Sequence, residues 1–256
     1  MAEVVIVGSP DEGGEVAAGL IARVISNKSD AVLGLATGST PLPVWRALAA
    51  KHLDLSQVRG FALDEYVGLA ASHPQSYRSV ITREVVEPLG LTPSLVRVPA
   101  ESGPIETAGP DYERALEAAG GVDIQVLGIG STGHIGFNEP GSSFASRTRV
   151  KTLTEQTRRD NARFFDSIDD VPTHCVTQGL GTIMRAGHLI LLAFGEKKAA
   201  AIAGAVEGPL TSSLPGSVVQ LHPLVTVIVD EAAASQLVHA EYYRFAWDNR
   251  LDWERD

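Results

Sequence analysis

Short, continuous apolar runs alternate along this chain with segments whose apolar residues recur at helical spacing. Val16, Leu20 and Val24, for example, lie four residues apart just after the first run. Strands covered on both faces have such continuous apolar runs, and strands that alternate with helices are typical of a parallel sheet. We therefore predict an α/β fold, a doubly wound, mostly parallel, Rossmann-like sheet with helices on both faces, formed by residues 1–256 as a single domain. The predicted strands include residues 4–7, 31–36, 58–63, 95–98, 122–129, 189–194 and 225–229.

The segments between these runs have helical patterns, including residues 41–50, 76–86, 112–119, 197–206 and 231–239. The C-terminal tail, residues 241–256, is aromatic and charged, and the sequence assigns it no role. In open α/β sheets, ligands bind beyond the carboxyl ends of the strands. The polar residues that follow each apolar run are therefore the candidates for a functional site.

The charge balance limits the partners of the chain. With 21 Lys and Arg against 31 Asp and Glu, the formal net charge is -10. We expect no nucleic-acid or membrane partner, because both need a basic surface, whereas a small anionic ligand needs only a few local cations. Cys175 is the only cysteine, which excludes an intrachain disulfide and a thiolate zinc cluster. Residues 1–10 lack the pattern of a signal peptide, so we expect a cytoplasmic protein.

A turn that suits phosphate follows the second apolar run. Thr37, Gly38, Ser39 and Thr40 stand just before Pro41, which is well placed in the first turn of a helix. Such a turn presents free backbone N–H groups and the positive end of the helix dipole to an anion. The alternative is an ordinary capped helix start, since Ser and Thr are also common capping residues. The turn lacks the lysine and the spacing of a nucleoside-triphosphate loop.

Two adjacent acids, Asp64 and Glu65, follow the third run. Carboxylates among apolar neighbours are costly to bury unless they are paired or used. They suit a general base at a cleft, although helix capping or a surface position is the more common role of such a pair.

A glycine-rich loop after residues 122–129 holds His134 and Glu139. A histidine titrates near neutrality, and a carboxylate partner fixes its tautomer, so the two suit acid–base chemistry. One His and one Glu are too few ligands for a metal site, and we expect none. Cations then cluster in an otherwise acidic chain, and some are candidates to clamp a phosphate. These cations are Arg147, Arg149, Lys151, Arg158, Arg159, Arg163, Lys197 and Lys198.

Together these segments resemble the glucosamine-6-phosphate deaminases, the hexosamine-phosphate isomerase/deaminase family. The resemblance covers nearly the whole chain, and its most specific blocks are LDEYVGL and GHIGFNEP. The matching stretches include LGLATGSTP at 33–41, LDEYVGL at 63–69, HPQSYRS at 73–79, GHIGFNEPGSSFASRTRVKTLT at 133–154, TRRDNARFF at 157–165, GEKKA at 195–199 and AVEG at 205–208.

The resemblance implies a cofactor-free reaction in which glucosamine 6-phosphate and water give fructose 6-phosphate and ammonium. Asp64 matches the base that moves a proton between C2 and C1. His134 matches the residue that assists opening of the pyranose ring, and Glu139 matches its carboxylate partner. The 37–40 turn, Arg163 and Lys198 match the phosphate site.

One position departs from the family pattern. The family usually has aspartate before the Gly-His pair, whereas this chain has Thr132, which supplies a hydroxyl but no negative charge. The departure predicts reduced or altered activity. It also leaves open a catalytically weak sugar-phosphate sensor.

Another open alternative is a 6-phosphogluconolactonase-like hydrolase, which would share the fold, although LDEYVGL and FNEP argue against it. Some family members are activated by N-acetylglucosamine 6-phosphate at a subunit interface, and Ser142, Ser143, Arg149 and Lys151 match that effector site. Members are commonly hexamers and in some cases monomers, so a homo-oligomer is one of two expectations.

Overall fold

A computed structural model of the protein describes residues 3–251, so residues 1–2 and the last five residues of the tail, 252–256, lie outside the described part. The predicted strands are present with boundaries shifted by one or two residues. In chain order the strands are β1 Glu3–Val7, β2 Val32–Leu35, β3 Arg59–Ala62, β4 Asp64–Tyr66, β5 Val96–Arg97, β6 Ile124–Gly128, β7 Arg149–Thr152, β8 His174–Thr177, β9 His188–Ala193 and β10 Val225–Asp230.

Seven of these strands form one fully parallel sheet in the order β1-β10-β9-β6-β2-β3-β5. The chain moves outward from β2 to β3 and β5 and then returns to β6, on the other side of β2. The winding direction therefore reverses between β2 and β6, and the loops that leave these two strands diverge. This switch point is where an α/β sheet forms its ligand crevice.

Helices cover both faces of the sheet, as the sequence predicts. Helix α1 begins after Ser9, whose hydroxyl accepts a hydrogen bond from the N–H of Glu12, and it packs closely on α2. A Cβ on Gly14 would approach the backbone of Pro43 to 2.6 Å, so this contact requires glycine. The helices are α1 Pro10–Asn27, α2 Leu42–Ala49, α3 Tyr77–Ile81, α4 Glu87–Leu89, α5 Ile105–Ala118, α6 Glu155–Asn161, α7 Leu180–Ile183, α8 Ala199–Val206 and α9 Ala240–Asp248, with a π-helical turn at Thr82–Val86.

A second, three-stranded antiparallel sheet has the order β4-β8-β7 and was not predicted from the sequence. Its strands are short and do not form continuous apolar runs. Asp64 of β4 lies opposite Thr177 of β8, and the N–H of Gln178 donates to the carbonyl of Leu63, 2.8 Å away. This small sheet fixes the backbone on either side of Asp64.

The prediction of a helix over residues 231–239 is wrong, because this segment forms turns. Two side-chain carboxylates accept hydrogen bonds from its backbone N–H groups in place of the carbonyls of a helix. Asp230 accepts from Ala233, and Glu207 accepts from Val238 and His239. The helix begins only at α9, which packs against β1 and gives the first part of the tail a packing role. In the described part of the chain, no helix is long and apolar enough to cross a membrane.

Candidate active site

A cavity of about 710 Å³ lies at the switch point between β2 and β6. Loops that leave β2, β3 and β6 line it, together with α6 and the turn before α8. Most of the predicted site residues meet here, namely Thr37, Gly38, Ser39, Thr40, Asp64, His134, Arg163 and Lys198.

The 37–40 turn and Lys198 both line this cavity. Gly38 adopts a φ of +89°, a left-handed conformation that favours glycine. Within the described chain, no side chain caps the start of α2, so the hydroxyls of the turn do not serve as its cap. The Lys198 ammonium donates to the carbonyl of Ile129, 2.7 Å away. Burial lowers the pKa of Lys198, Asp160 opposes this and Arg163 adds to it. The arrangement suits a phosphate group.

The adjacent acids have separate roles. Glu65 accepts hydrogen bonds from the N–H groups of Tyr77 and Arg78 at the start of α3, at 2.9 and 2.8 Å. Glu65 therefore helps to cap α3 from outside the helix, beside the N-cap residue Ser76, and capping is one of the roles considered for the pair. Asp64 points the other way, lines the cavity and is only 6% exposed.

The surroundings of Asp64 tune it as a base. Burial raises the pKa of Asp64 to about 8, and the negative charge of Glu65 adds to this rise. Hydrogen bonds from the hydroxyl of Thr177 and the N–H of Phe137 oppose it. A carboxylate whose pKa lies close to neutrality is well matched to abstracting a proton from carbon.

Glycines let the loop after β6 fold tightly around His134. A Cβ on Gly130 would lie 2.2 Å from Nε2 of His134, so the imidazole packs directly on the glycine backbone. Gly136 has a φ of +53°, and a Cβ there would come within 3.5 Å of Oδ2 of Asp64. The glycine-rich composition of the loop thus has a steric cause.

Two oxygens face Nδ1 of His134. Oγ1 of Thr132 is 2.9 Å away, and Oε2 of Glu139 is 3.5 Å away. Burial acts to raise the pKa of Glu139, but its interactions with His134 and Thr157, with others, lower it to about 2. Glu139 is therefore ionised at neutral pH, and it lies behind the imidazole rather than on the cavity wall.

Several cavity residues have no distinctive signal in the sequence. Tyr77 stacks on Phe137 with an angle of 15° between the ring planes. The hydroxyl of Ser131 donates to Asp160, 3.0 Å away, and thereby joins the β6 loop to α6. Gln75 and Arg83 also line the cavity, and so do two of the predicted candidate cations, Arg159 and Lys197.

Four of the predicted cations, Arg147, Arg149, Lys151 and Arg158, do not line the cavity. Arg147 pairs with Glu113, and Arg158 donates to backbone carbonyls of Ile168 and Val171. Arg149 donates to Oδ1 of Asn138 and Oγ of Ser142, at 2.8 and 3.3 Å.

The residues matched to an effector site do not line the cavity. Ser142 is buried and donates to the carbonyl of Glu139, whereas Ser143 is exposed and Lys151 is half-buried on β7. Their role in effector binding stays a prediction. Among residues 3–251, no cluster of three or more His, Cys, Asp or Glu side chains has the arrangement of a metal site.

The fold and the cavity define a class first: an α/β protein whose parallel sheet brings an anion-binding turn and a buried carboxylate to one crevice. The chain belongs to the family of glucosamine-6-phosphate isomerases and 6-phosphogluconolactonases, whose family model matches residues 11–228. The family expected from the sequence motifs is thus confirmed.

Individual relatives are similar over almost the whole chain. A glucosamine-6-phosphate deaminase of Bifidobacterium longum subsp. infantis is 57% identical over 268 residues, with 99% of each chain covered. A solved structure of a monomeric glucosamine-6-phosphate deaminase is 41% identical with a TM-score of 0.89, covering 92% of this chain and 100% of that one. A 6-phosphogluconolactonase from Trypanosoma cruzi has a TM-score of 0.76 at 22% identity, covering 93% and 97%, and shows a common fold only.

Proposed function

We propose that this protein is a glucosamine-6-phosphate deaminase, which converts glucosamine 6-phosphate and water to fructose 6-phosphate and ammonium without a cofactor. One observation carries the proposal. The buried carboxylate of Asp64 and the phosphate-type residues Lys198, Arg163 and 37–40 line the same cavity. The 57% identical deaminase and the 41% identical deaminase structure support it.

The phosphate group does not react, and its role is to hold the sugar. Backbone N–H groups of the 37–40 turn, the Lys198 ammonium and the Arg163 guanidinium would bind its oxygens with charge-assisted hydrogen bonds. Binding energy from this remote group places C2 of the sugar against the base.

Proton transfer between carbons falls to Asp64. Once the sugar is open, the C2 proton lies next to the carbonyl-type carbon C1, so the carboxylate removes it from C2 and returns it to C1. The ketimine that results at C2 is hydrolysed by water to fructose 6-phosphate and ammonium. General acid–base catalysis of this kind accelerates a step by about 10²–10⁴-fold.

Ring opening falls to His134, whose imidazole lines the cavity. The ionised Glu139 behind it stabilises the imidazolium that forms when the ring accepts a proton. Asp64 and His134 thus serve two successive steps in one cavity.

The decisive experiment is to incubate the protein with glucosamine 6-phosphate and to measure ammonium and fructose 6-phosphate together. Equal release of the two products is the expected result. Hydrolysis of 6-phosphogluconolactone without ammonium release would indicate the hydrolase alternative, which rests on likeness of fold alone. Tight binding of glucosamine 6-phosphate without turnover would indicate the sensor.

We also propose a cytoplasmic location, since a sugar phosphate is charged and does not cross a bilayer unaided. The assembly of the chain is a separate question. The 41% identical deaminase is monomeric, whereas the sequence leaves a homo-oligomer open. Light scattering in solution decides between the two.

A further inference from the structure

The two ring nitrogens of His134 have different surroundings. Nδ1 faces two oxygens, Oγ1 of Thr132 at 2.9 Å and Oε2 of Glu139 at 3.5 Å. The backbone of Gly130 packs on the ring near both nitrogens, since a Cβ there would lie 2.2 Å from Nε2 and 2.6 Å from Nδ1. His134 lines the cavity, and with Nδ1 facing two oxygens, Nε2 is the nitrogen that is left to meet a ligand. Which nitrogen carries the proton decides what His134 can do to a sugar.

Glu139 supplies the first constraint. Its Oε1 accepts hydrogen bonds from the N–H and hydroxyl of Thr154, at 3.3 and 3.2 Å. Its Oε2 is buried and has no hydrogen-bond partner within residues 3–251. A buried anionic oxygen is strongly disfavoured next to a lone pair. The carboxylate therefore favours a proton on the nearby Nδ1, because an unprotonated Nδ1 would turn its lone pair toward it.

Thr132 supplies the second constraint. Its hydroxyl is 0.6 Å closer to Nδ1 than the carboxylate oxygen is, as the distances of 2.9 and 3.5 Å show. A hydroxyl can accept a hydrogen bond as well as donate one, so it can take the bond from Nδ1–H. In the neutral imidazole, the hydroxyl of Thr132 is thus the principal acceptor, and Glu139 is the more distant one.

We propose that Thr132 is a positioning residue that accepts the hydrogen bond of Nδ1–H of His134 and leaves Nε2 free to act as a base toward the cavity. The proposal deepens the deaminase function above and rests on it. Nε2 takes the proton of the anomeric hydroxyl, and a carbonyl forms at C1. The C1–O5 bond breaks with its electron pair on O5, and the imidazolium then returns the proton to O5.

The two acceptors serve two charge states of the ring. An imidazolium is a stronger donor than a neutral imidazole, and a carboxylate is a stronger acceptor than a hydroxyl. When Nε2 gains its proton, the hydrogen bond of Nδ1–H therefore shifts from Thr132 toward Glu139. Thr132 orients the neutral imidazole of His134, and Glu139 stabilises the imidazolium.

Nitrogen NMR of the full-length, ¹⁵N-histidine-labelled protein tests the tautomer directly. The His134 signals are assigned by their loss in a His134→Asn variant. For the neutral ring in the free protein, we expect protonated Nδ1 and unprotonated Nε2. Thr132→Ser, the matched control, keeps this pattern. Thr132→Val populates both tautomers. A protonated Nε2 in the unmodified chain, or an unchanged pattern in Thr132→Val, would overturn the proposal.

Steady-state kinetics gives a second readout. Loss of one hydrogen bond to the imidazole predicts a fall in kcat of about fivefold to tenfold in Thr132→Val. KM stays within about twofold, because the phosphate residues are untouched, and Thr132→Ser retains most of the activity. An equal loss in both variants contradicts the role of the hydroxyl. The NMR measurement needs no turnover and therefore tests the tautomer of His134 independently of the deaminase function. Absence of ammonium release by the unmodified chain would refute the deaminase function but not the role of Thr132.

Discussion

Replacing the buried carboxylate of Asp64 by the neutral amide of asparagine is expected to lower the activity and to raise the stability of the fold. The Asp64→Asn variant keeps the size of the side chain and an oxygen that accepts from Thr177. Asp64 has a pKa raised from 3.8 to about 8 in the folded protein. Between these values the folded state binds more protons than the unfolded state, so this carboxyl costs stability increasingly as pH rises from about 4 to 8.

The magnitude follows from the same shift. At pH 7, ionisation of this carboxyl lowers the free energy of unfolding by at most about 4 kcal/mol, at 1.36 kcal/mol per pKa unit. Water in the cavity reduces this cost, so we expect Asp64→Asn to gain about 2–4 kcal/mol over the unmodified chain between pH 4 and pH 8. Each kcal/mol corresponds to about 2–4 °C in Tm for a chain of this size.

Urea denaturation of both proteins at pH 4, 6 and 8 measures the effect. The difference in unfolding free energy grows with pH, while deaminase activity falls by about 10²–10⁴-fold. A difference that stays constant over this range would refute the inference that Asp64 is destabilised by burial.

Three further substitutions test the site. Lys198→Met removes a charge-assisted hydrogen bond and raises KM for glucosamine 6-phosphate by about 10- to 100-fold in steady-state kinetics. Lys51→Met, at a lysine that does not line the cavity, serves as the control, and an equal effect there would contradict the assignment. Glu65→Gln removes a negative charge that raises the pKa of Asp64, so the rise of kcat/KM with pH, expected near pH 8, moves to lower pH; an unmoved profile argues against that coupling. Thr132→Asp adds a carboxylate beside the imidazole and raises the rate on glucosamine 6-phosphate; a rate no higher than that of the unmodified chain would show this explanation of the position to be wrong.

The parallel sheet could be predicted because its strands are buried on both faces and therefore have continuous apolar runs, such as β9 and β10. The alternation of Arg147, Arg149 and Lys151 is typical of one face of a strand, but the small antiparallel sheet could not be predicted, because β7 has only four residues and exists through its pairing with β8. The turns at 231–239 could not be predicted either, because their backbone N–H groups donate to the carboxylates of Asp230 and Glu207, and Glu207 is distant in the sequence.

Sequence patterns located the site better than they assigned roles within it. Asp64 and Glu65 look alike in the sequence, and only the position of α3, 12 residues further along, makes one a cap and the other a cavity residue. Arg147 and Arg163 are equally plausible phosphate ligands by composition. Their difference depends on Glu113, which α5 brings to Arg147 and not to Arg163.

Exchange of the C2 proton tests most directly whether residue 64 is the base. Glucosamine 6-phosphate labelled with deuterium at C2 is incubated with the unmodified protein and with Asp64→Asn, and loss of deuterium from C2 is followed by NMR beside substrate binding by calorimetry. We predict that the unmodified protein removes the label, whereas Asp64→Asn binds the sugar phosphate about as tightly and leaves the label in place. Removal of the label by Asp64→Asn at an undiminished rate would contradict the account.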